Sequence, residues 1–461
     1  MSIQTLNPAT GEVVKEFQEI TDAELEAKLS KASDAFSKWK QTSFKERADL
    51  MLKLATYLVE NQKALGALQT LEMGKTIKSA EISAAKCALV CEYYAENAEK
   101  MLASETVATD DSEAYVSFDP LGVVLAVMPW NFPLWQVYRF AAPALMAGNV
   151  ALLKHASNVP QCALAIEESF RAAGFPEGVF QTLLVSSQRT EKIIRDWRIK
   201  AVTLTGSEKA GATVASIAAS EIKKAVLELG GSDPFVVFSD ADLKDTIPQA
   251  VSARLQNNTG QSCISAKRFI VAKSIASEFV KGIVAEIEKL KIGDPSDPSV
   301  NIGPLATEQI LNDIEKQVSE SIAQGAKLEI GGKRFGNAGF FYEVTVLTNV
   351  KKGMPVYDQE TFGPVLAIIE FDDSSADKGF AEAMAIANDT EFGLGASVWT
   401  SDLVLAKQAT KAIDAGSVFV NIPVKSDPRL PFGGIKRSGY GRELSSYGLR
   451  EFVNIKSIRI K

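Results

Sequence analysis

Residues 149–154 (NVALLK), 179–185 (VFQTLLV) and 201–206 (AVTLTG) are three short apolar runs separated by helical patterns at 160–173 and 189–196. Strand, helix and strand in that rhythm build right-handed βαβ units and a doubly wound sheet, an α/β fold. The pattern continues on both sides. LGVVLAVM (121–128) is apolar on both faces, as a buried parallel strand is. Downstream come a short helix over 208–219 and strands in KAVLELGG (224–231) and PFVVF (234–238). Upstream, residues 22–105 read as helical, with apolar side chains three and four apart in RADLMLKLATYLVENQKAL (47–65). AYVSF (114–118) reads as a strand. A second α/β pattern runs from Asp242 to about residue 425. The tail after Pro431 holds Gly433, Gly434, Gly439 and Gly441, then the strand-like FVNIKSIRI (452–460). That last strand pairs either with another subunit or with an earlier strand.

The chain has 461 residues, which suggests two or three domains. Its 50 Lys and Arg against 57 Asp and Glu leave a net charge of −7, without the basic footprint of a nucleic-acid binder. The start, MSIQTLNPATGEVV, has no apolar signal core. The longest apolar stretch, Leu121 to Trp135, is broken by Pro129, Asn131 and Pro133. It is shorter than the roughly 18 uninterrupted apolar residues of a membrane span. Four cysteines in so long a chain make no disulfide framework. The expectation is a soluble, cytoplasmic protein that binds neither membrane nor nucleic acid. The chain holds a single histidine, His155. Zinc sites with two or more histidines are therefore excluded, and a Ser-His-Asp triad has one possible member. Acid-base work falls to carboxylates, lysines, cysteines or tyrosines.

Several residues stand where chemistry is possible. Cys263 lies among small, polar neighbours in NNTGQSCISAKRF, unlike a core cysteine. Cys162, followed by ALAI on a helix, fits the core description. Cys87 and Cys91 share a helix face and read as helix packing, with no other ligand-like residues for a metal. Glu228 sits between apolar residues at a strand end, where burial raises a carboxyl pKa and suits a general base; its plainer reading is a salt-bridged strand residue. No GxGxxG follows any expected strand. Instead Gly206 and Gly211, around Ser207, open a strand-to-helix turn whose N–H groups can meet a phosphate or serve structure alone. Lys154 ends a buried strand, where a ligand or solvent receives it. Arg139 is the one charge in FPLWQVYRFAAPALMAG and shares a helix face with Trp135. Such a guanidinium needs a partner, either a bound carboxylate or an internal Asp or Glu.

MPWNFPLWQ (128–136), LLKHAS (152–157), LTGSEKAG (204–211), LELGGSDP (227–234), GQSC (260–263), QETFGPV (359–365) and PFGGIKRSGYGREL (431–444) occur in this order and spacing. Together they resemble the aldehyde dehydrogenase superfamily, over nearly the whole chain from NPATGE (7–12) to the tail. Within it, the chain looks most like the shorter bacterial succinate-semialdehyde dehydrogenases.

The resemblance implies roles residue by residue. Cys263 matches the nucleophile that forms a thiohemiacetal and then a thioester. Asn131 matches the oxyanion-hole amide, acting with the Cys263 N–H. Glu228 matches the base that activates water for thioester hydrolysis. Lys154 would bond the adenosine ribose, and Ser207 with the Gly206–Gly211 turn would hold the pyrophosphate. Glu360 would bond the nicotinamide ribose, with Trp130 and Phe362 beside it. Ser157 stands where NAD-preferring relatives place a glutamate that would repel a 2′-phosphate, so NADP is expected to serve at least as well as NAD. Arg139 would recognise the far carboxylate of succinate semialdehyde, helped by Trp135 and by Ser426 in the KSDPR loop.

The implied architecture is a Rossmann-type cofactor domain over 1–101 and 121–229 and an α/β catalytic domain over 230–429. A small β oligomerisation arm over 102–120 and 445–461 would join a homodimer or homotetramer. Other readings keep the fold but change the substrate, to glutarate semialdehyde or to an aliphatic or aromatic aldehyde. A cofactor-independent cysteine acyl-hydrolase would leave Lys154, Ser207 and Glu360 without purpose. A low-pKa Cys263 would also be open to oxidation.

Overall fold

The computed structural model describes residues 3–255 and 258–461. A hairpin of β1 (Ile3–Asn7) and β2 (Glu12–Phe17) precedes four helices, Asp22–Trp39, Phe44–Glu60, Gln62–Met73 and Ile77–Met101. Thr21 with Glu24 and Ser43 with Glu46 form reciprocal capping boxes that start the first two helices. Gly74, left-handed at φ 76°, stops the third. β3 (Glu105–Thr106) and β4 (Glu113–Pro120) follow. The next five strands are β5 (Val123–Met128), β6 (Val150–His155), β7 (Phe180–Thr182), β8 (Ile199–Thr205) and β9 (Lys224–Glu228). Then come β10 (Pro234–Val237), β11 (Arg268–Ala272), β12 (Lys327–Ile330), β13 (Thr345–Thr348), β14 (Val365–Phe371), β15 (Gly395–Trp399) and β16 (Ser417–Val420). β17 (Gly439–Tyr440) and β18 (Val453–Ile460) end the chain.

One sheet has the order β17-β9-β8-β5-β6-β7, parallel except for β17. The chain winds from β5 to β6 and β7 in one direction and to β8 and β9 in the other. The carboxyl ends of β5 and β8 therefore flank a switch point, where open α/β sheets hold ligands. A second sheet, β12-β13-β14-β11-β10-β15-β16, is parallel except for β12. β5, β6 and β11 are buried on both faces, which explains the apolar runs VVLAVM, VALL and FIVA within them.

The run 179–185 forms only the short β7, because the Val185 N–H folds back onto the Leu183 carbonyl and ends the ladder. FVNIKSIRI forms β18, which pairs antiparallel with β4 along its whole length, Val453 opposite Pro120 and Ile460 opposite Glu113. An earlier strand of the same chain thus takes one edge of the tail. Cys87, Cys91 and Cys162 are buried in the apolar core, as expected of packing residues. No described helix is long and apolar enough to cross a membrane.

Candidate active site

Cys263 follows the helix Leu243–Leu255 in a tight turn and opens, half-buried, on a cavity of about 490 Å³. Asn131, in the loop after β5, reaches the same turn. Its side-chain amide nitrogen donates to the Gln261 carbonyl at 3.2 Å, and its backbone carbonyl accepts from the Asn258 amide at 2.8 Å. Gln136 donates to the Asn131 side-chain oxygen at 3.0 Å. That bond fixes which way the amide points, with its nitrogen toward the nucleophile turn and one N–H left over for a ligand. Gln136 and Asn258 were not singled out from the sequence. Their signal was faint: a buried amide five residues beyond Asn131, and another in a polar loop.

Lys267 underpins the turn. Its ammonium donates to the carbonyls of Ser262 and Cys263 at 2.9 and 2.8 Å and stands 3.4 Å from Glu360. Burial nevertheless pushes the Cys263 thiol up to about 12, with Lys267 and Arg139 pulling it the other way. The expectation of a low-pKa cysteine is therefore corrected. Desolvation outweighs the two cations, and the sequence displays the polar neighbours without showing that they are buried.

Glu228 ends β9 and is buried, and neither of its carboxylate oxygens has a hydrogen-bond partner among the described residues. Burial, and then the charge of Glu443, raise its pKa well above the carboxyl range; Arg139 opposes them. Glu443, also raised by burial, forms an ion pair with Arg139 in which both side chains are almost wholly enclosed. The Arg139 guanidinium also lies 4.3 Å from the centre of the Phe432 ring. Of the two partners open to Arg139, the structure supplies the internal one. Arg139 also lines the cavity before Cys263, so a substrate carboxylate reaching it would share the guanidinium with Glu443. Glu443 lies more than three hundred residues away in sequence, within GREL, where nothing local marks it.

The cofactor-side residues gather at the switch point. Lys154 is the penultimate residue of β6, nearly buried, and desolvation lowers its pKa. Ser157 is half-buried in the next turn, its carbonyl accepting from the Gln4 N–H at 3.1 Å. Ser207 caps the helix Glu208–Ser220, its hydroxyl accepting from the Ala210 N–H at 3.4 Å. The first N–H groups of that helix face the ligand side without intrahelical partners. Gly206 and Gly211 do less than expected there. The Gly206 N–H is spent on the Glu228 carbonyl at 3.0 Å and that of Gly211 on the Ser207 carbonyl at 2.9 Å. A Cβ on Gly211 would meet Leu229 at 2.5 Å, so this glycine serves helix-on-strand packing.

Glu360 uses one oxygen inward, accepting the Gly231 N–H at 3.1 Å beside Lys267. Its other oxygen faces Gly230, where a Cβ would come within 2.6 Å. Trp130 and Phe362 meet edge to face at 5.8 Å. A buried cationic strand end, an open helix N-terminus, a carboxylate with one oxygen uncommitted and an aromatic pair fit a dinucleotide.

On the cavity wall, Trp135 begins the helix Trp135–Met146. The Lys86 ammonium lies 4.1 Å from the centre of its ring and donates to the Ser426 hydroxyl at 2.7 Å. Lys86 comes from AAKCAL in the helix Ile77–Met101, where sequence shows only a helical surface.

A cysteine beside an oriented amide, a buried carboxylate and a dinucleotide cradle on a doubly wound sheet define a cysteine-dependent oxidoreductase. The model of the aldehyde dehydrogenase family matches residues 1–458, and the chain belongs to that family. It is 53% identical over 460 residues, covering both chains fully, to a probable succinate-semialdehyde dehydrogenase [NADP(+)] of Synechocystis sp.. It is also 53% identical over 463 residues, again covering both chains fully, to succinate-semialdehyde dehydrogenase [NADP(+)] 1 of Mycobacterium bovis. Among solved structures, the succinic semialdehyde dehydrogenase of Streptococcus pyogenes in complex with NADP+ superposes with a TM-score of 0.96. That pair is 37% identical, and the match covers 99% of each chain.

Proposed function

We propose that the protein oxidises succinate semialdehyde to succinate with NADP. The observation that carries this reading is the charge of the cavity before Cys263. Lys75, Lys78, Lys86 and Lys425 line it together with Arg139, which is paired with Glu443 behind the wall, and among the described residues no Asp or Glu lines it. In a low-dielectric cleft such a set concentrates anions and disfavours cations. An aldehyde that carries a carboxylate suits it, and the names of the relatives point to the same substrate.

As the Cys263 sulfur adds to the aldehyde carbon, the thiol proton passes to water in the cavity and the carbonyl oxygen becomes an alkoxide. The second N–H of Asn131 and the Cys263 N–H stabilise that oxygen. NADP, when bound, supplies the hydride acceptor. Lys154, Ser157 and the N-terminus opened by Ser207 would hold its adenosine and phosphate groups, and Glu360 its second ribose. The acyl group is then a thioester of Cys263. Glu228, with its raised pKa, accepts a proton from the water that hydrolyses it. Cys263 as a thiolate and Glu228 as a carboxylate each carry negative charge in a desolvated site before they react. Lys267 and Arg139 offset that charge at Cys263, and Arg139 and Arg442 offset it at Glu228.

Steady-state kcat/KM for succinate semialdehyde, glutarate semialdehyde and butanal, each with NADP and NAD, tests the proposal. Highest kcat/KM for succinate semialdehyde with NADP is expected; a preference for butanal would refute the substrate assignment. The residual edge of β18 and the short β3 suit pairing across a homodimer or homotetramer. A chain truncated before Glu451 should run smaller than the intact protein in light scattering, and an unchanged mass would refute that role.

A further inference from the structure

We propose that Lys267 is a positioning residue for the nucleophile turn: by holding the Ser262 carbonyl it aims and strengthens the Cys263 N–H as a donor to the oxyanion. The proposal rests on the cysteine chemistry given above and adds the side chain that prepares one of its two oxyanion donors.

The Ser262 carbonyl and the Cys263 N–H belong to one planar peptide unit, so they point in opposite directions and turn together. The Lys267 ammonium donates to that carbonyl at 2.9 Å and to the carbonyl of Cys263 itself at 2.8 Å. The peptide units before and after the Cys263 Cα are thus tied to one atom, and the direction in which the side chain leaves the backbone is fixed with them. Gly231 packs against the same turn; a Cβ there would come within 2.7 Å of the Cys263 carbonyl oxygen. For its third hydrogen the ammonium has the Ser265 carbonyl at 3.3 Å and Glu360 at 3.4 Å, so all three donors stay inside the protein.

The Cys263 N–H, at the opposite end of the pinned unit, donates to no backbone carbonyl among the described residues. The N–H groups of Gln261 and Ser265, on either side, are both bonded to carbonyls within the turn. An uncommitted N–H beside the reacting sulfur suits a developing alkoxide. A positive charge at the carbonyl end draws electron density along the amide, and the N–H end becomes a stronger donor. Lys267 is 1% exposed, so water does not screen this effect. Burial lowers the pKa of Lys267, while Glu360 and Asp233 favour its charged form.

Two rates measured on the same preparations separate this role from its alternatives. One is alkylation of Cys263 by iodoacetamide, in which the sulfur displaces iodide and no oxyanion forms. The other is NADPH formation in a single turnover of butanal with NADP, in which an alkoxide forms on the way. Both need the thiolate, and only the second needs the oxyanion donors. Lys267→Met keeps the length of the side chain and loses its charge and donors. Its alkylation should slow by about tenfold and its single turnover by about a hundredfold to a thousandfold, so that the ratio of the two falls by at least about tenfold. Lys267→Arg should recover part of that ratio. A ratio within about twofold of wild type in Lys267→Met would overturn the proposal and leave Lys267 acting on the thiolate alone. Alkylation faster than in wild type would also overturn it, because the turn would then have come apart and Lys267 would be an anchor of the fold.

Cys87, Cys91 and Cys162 are buried, and their resistance to labelling reports that the variant is folded. If Lys267→Met labels them, Lys267→Gln, with a donor and no charge, is judged by the same two rates. Butanal has no carboxylate, so the outcome does not depend on which semialdehyde the enzyme prefers. A wild type that keeps its turnover with Cys263 fully alkylated would overturn the cysteine chemistry, and the proposal with it.

Discussion

His155 permits a prediction that can be worked through in numbers. Its Nδ1 accepts the Ala156 N–H at 2.8 Å, so the proton sits on Nε2, which donates to the Pro133 carbonyl at 2.9 Å. The ring is 5% exposed, and burial pushes its pKa down from 6.5 to about 4. The native fold therefore prefers the neutral imidazole. This contribution is fully present above pH 6.5 and is lost as pH falls toward 4, because the unfolded chain binds the proton first. The two values imply that about 2–3 kcal/mol is gone at pH 4.5. Raw stability curves would hide it, since Asp233, raised by burial to about 7, works in the opposite direction over part of the same range. The comparison with His155→Gln isolates the term. The advantage of wild type over this variant in urea denaturation should shrink by about 2–3 kcal/mol between pH 7.5 and pH 4.5. Because the chain has one histidine, its imidazole resonance in a 13C-labelled sample is unambiguous and gives the pKa directly. A native-state pKa near 6.5, or a pH-independent difference between the two proteins, would refute the reasoning.

Three further outcomes follow from the site. Ser157→Glu should move the kcat/KM ratio toward NAD by placing a negative charge where the 2′-phosphate of NADP would lie; an unchanged ratio would argue that Ser157 faces elsewhere. Gln136→Leu releases the Asn131 amide, and kcat should drop by about tenfold or more with KM for the aldehyde little altered; wild-type kcat would remove Gln136 from the orienting role. Arg139→Ala leaves Glu443 buried beside Glu228 without its counter-ion. It should lose about 3–5 kcal/mol of stability and slow both charged and uncharged aldehydes, measured as Tm and kcat/KM, whereas a selective KM rise for succinate semialdehyde alone would contradict the internal pairing.

The alternation of apolar runs and helical patterns from 121 to 238 was enough to read a doubly wound sheet, because backbone periodicity is a local property. Cys263 was legible from its polar setting, where packing does not ask for a cysteine, whereas Asn131 was marked only by the resemblance of MPWNFPLWQ to the family motif. What escaped were relations between distant segments. Arg139 announced that it needed a partner, but Glu443 is brought to it by the fold of the tail. Lys86 looked like any lysine on a helix until Trp135 and Ser426 met it from two other parts of the chain. The polar company of Cys263 was visible, but its desolvation was not, and desolvation decides the direction of its pKa. Gly206 and Gly211 were correctly placed at a strand-to-helix turn, yet their N–H groups are spent inside the protein. One-dimensional sequence shows where a donor is, and not whether it is already used.

The pairing of β17 with β9 sets Gly439 opposite Glu228, and the same closing segment brings Phe432 and Glu443 against Arg139. A Cβ at Gly433 would come within 2.6 Å of the Glu228 carboxylate, so this segment encloses the base as closely as a glycine allows. The proton affinity of the base is thus set in part by a stretch of chain some two hundred residues away that itself takes no part in the reaction.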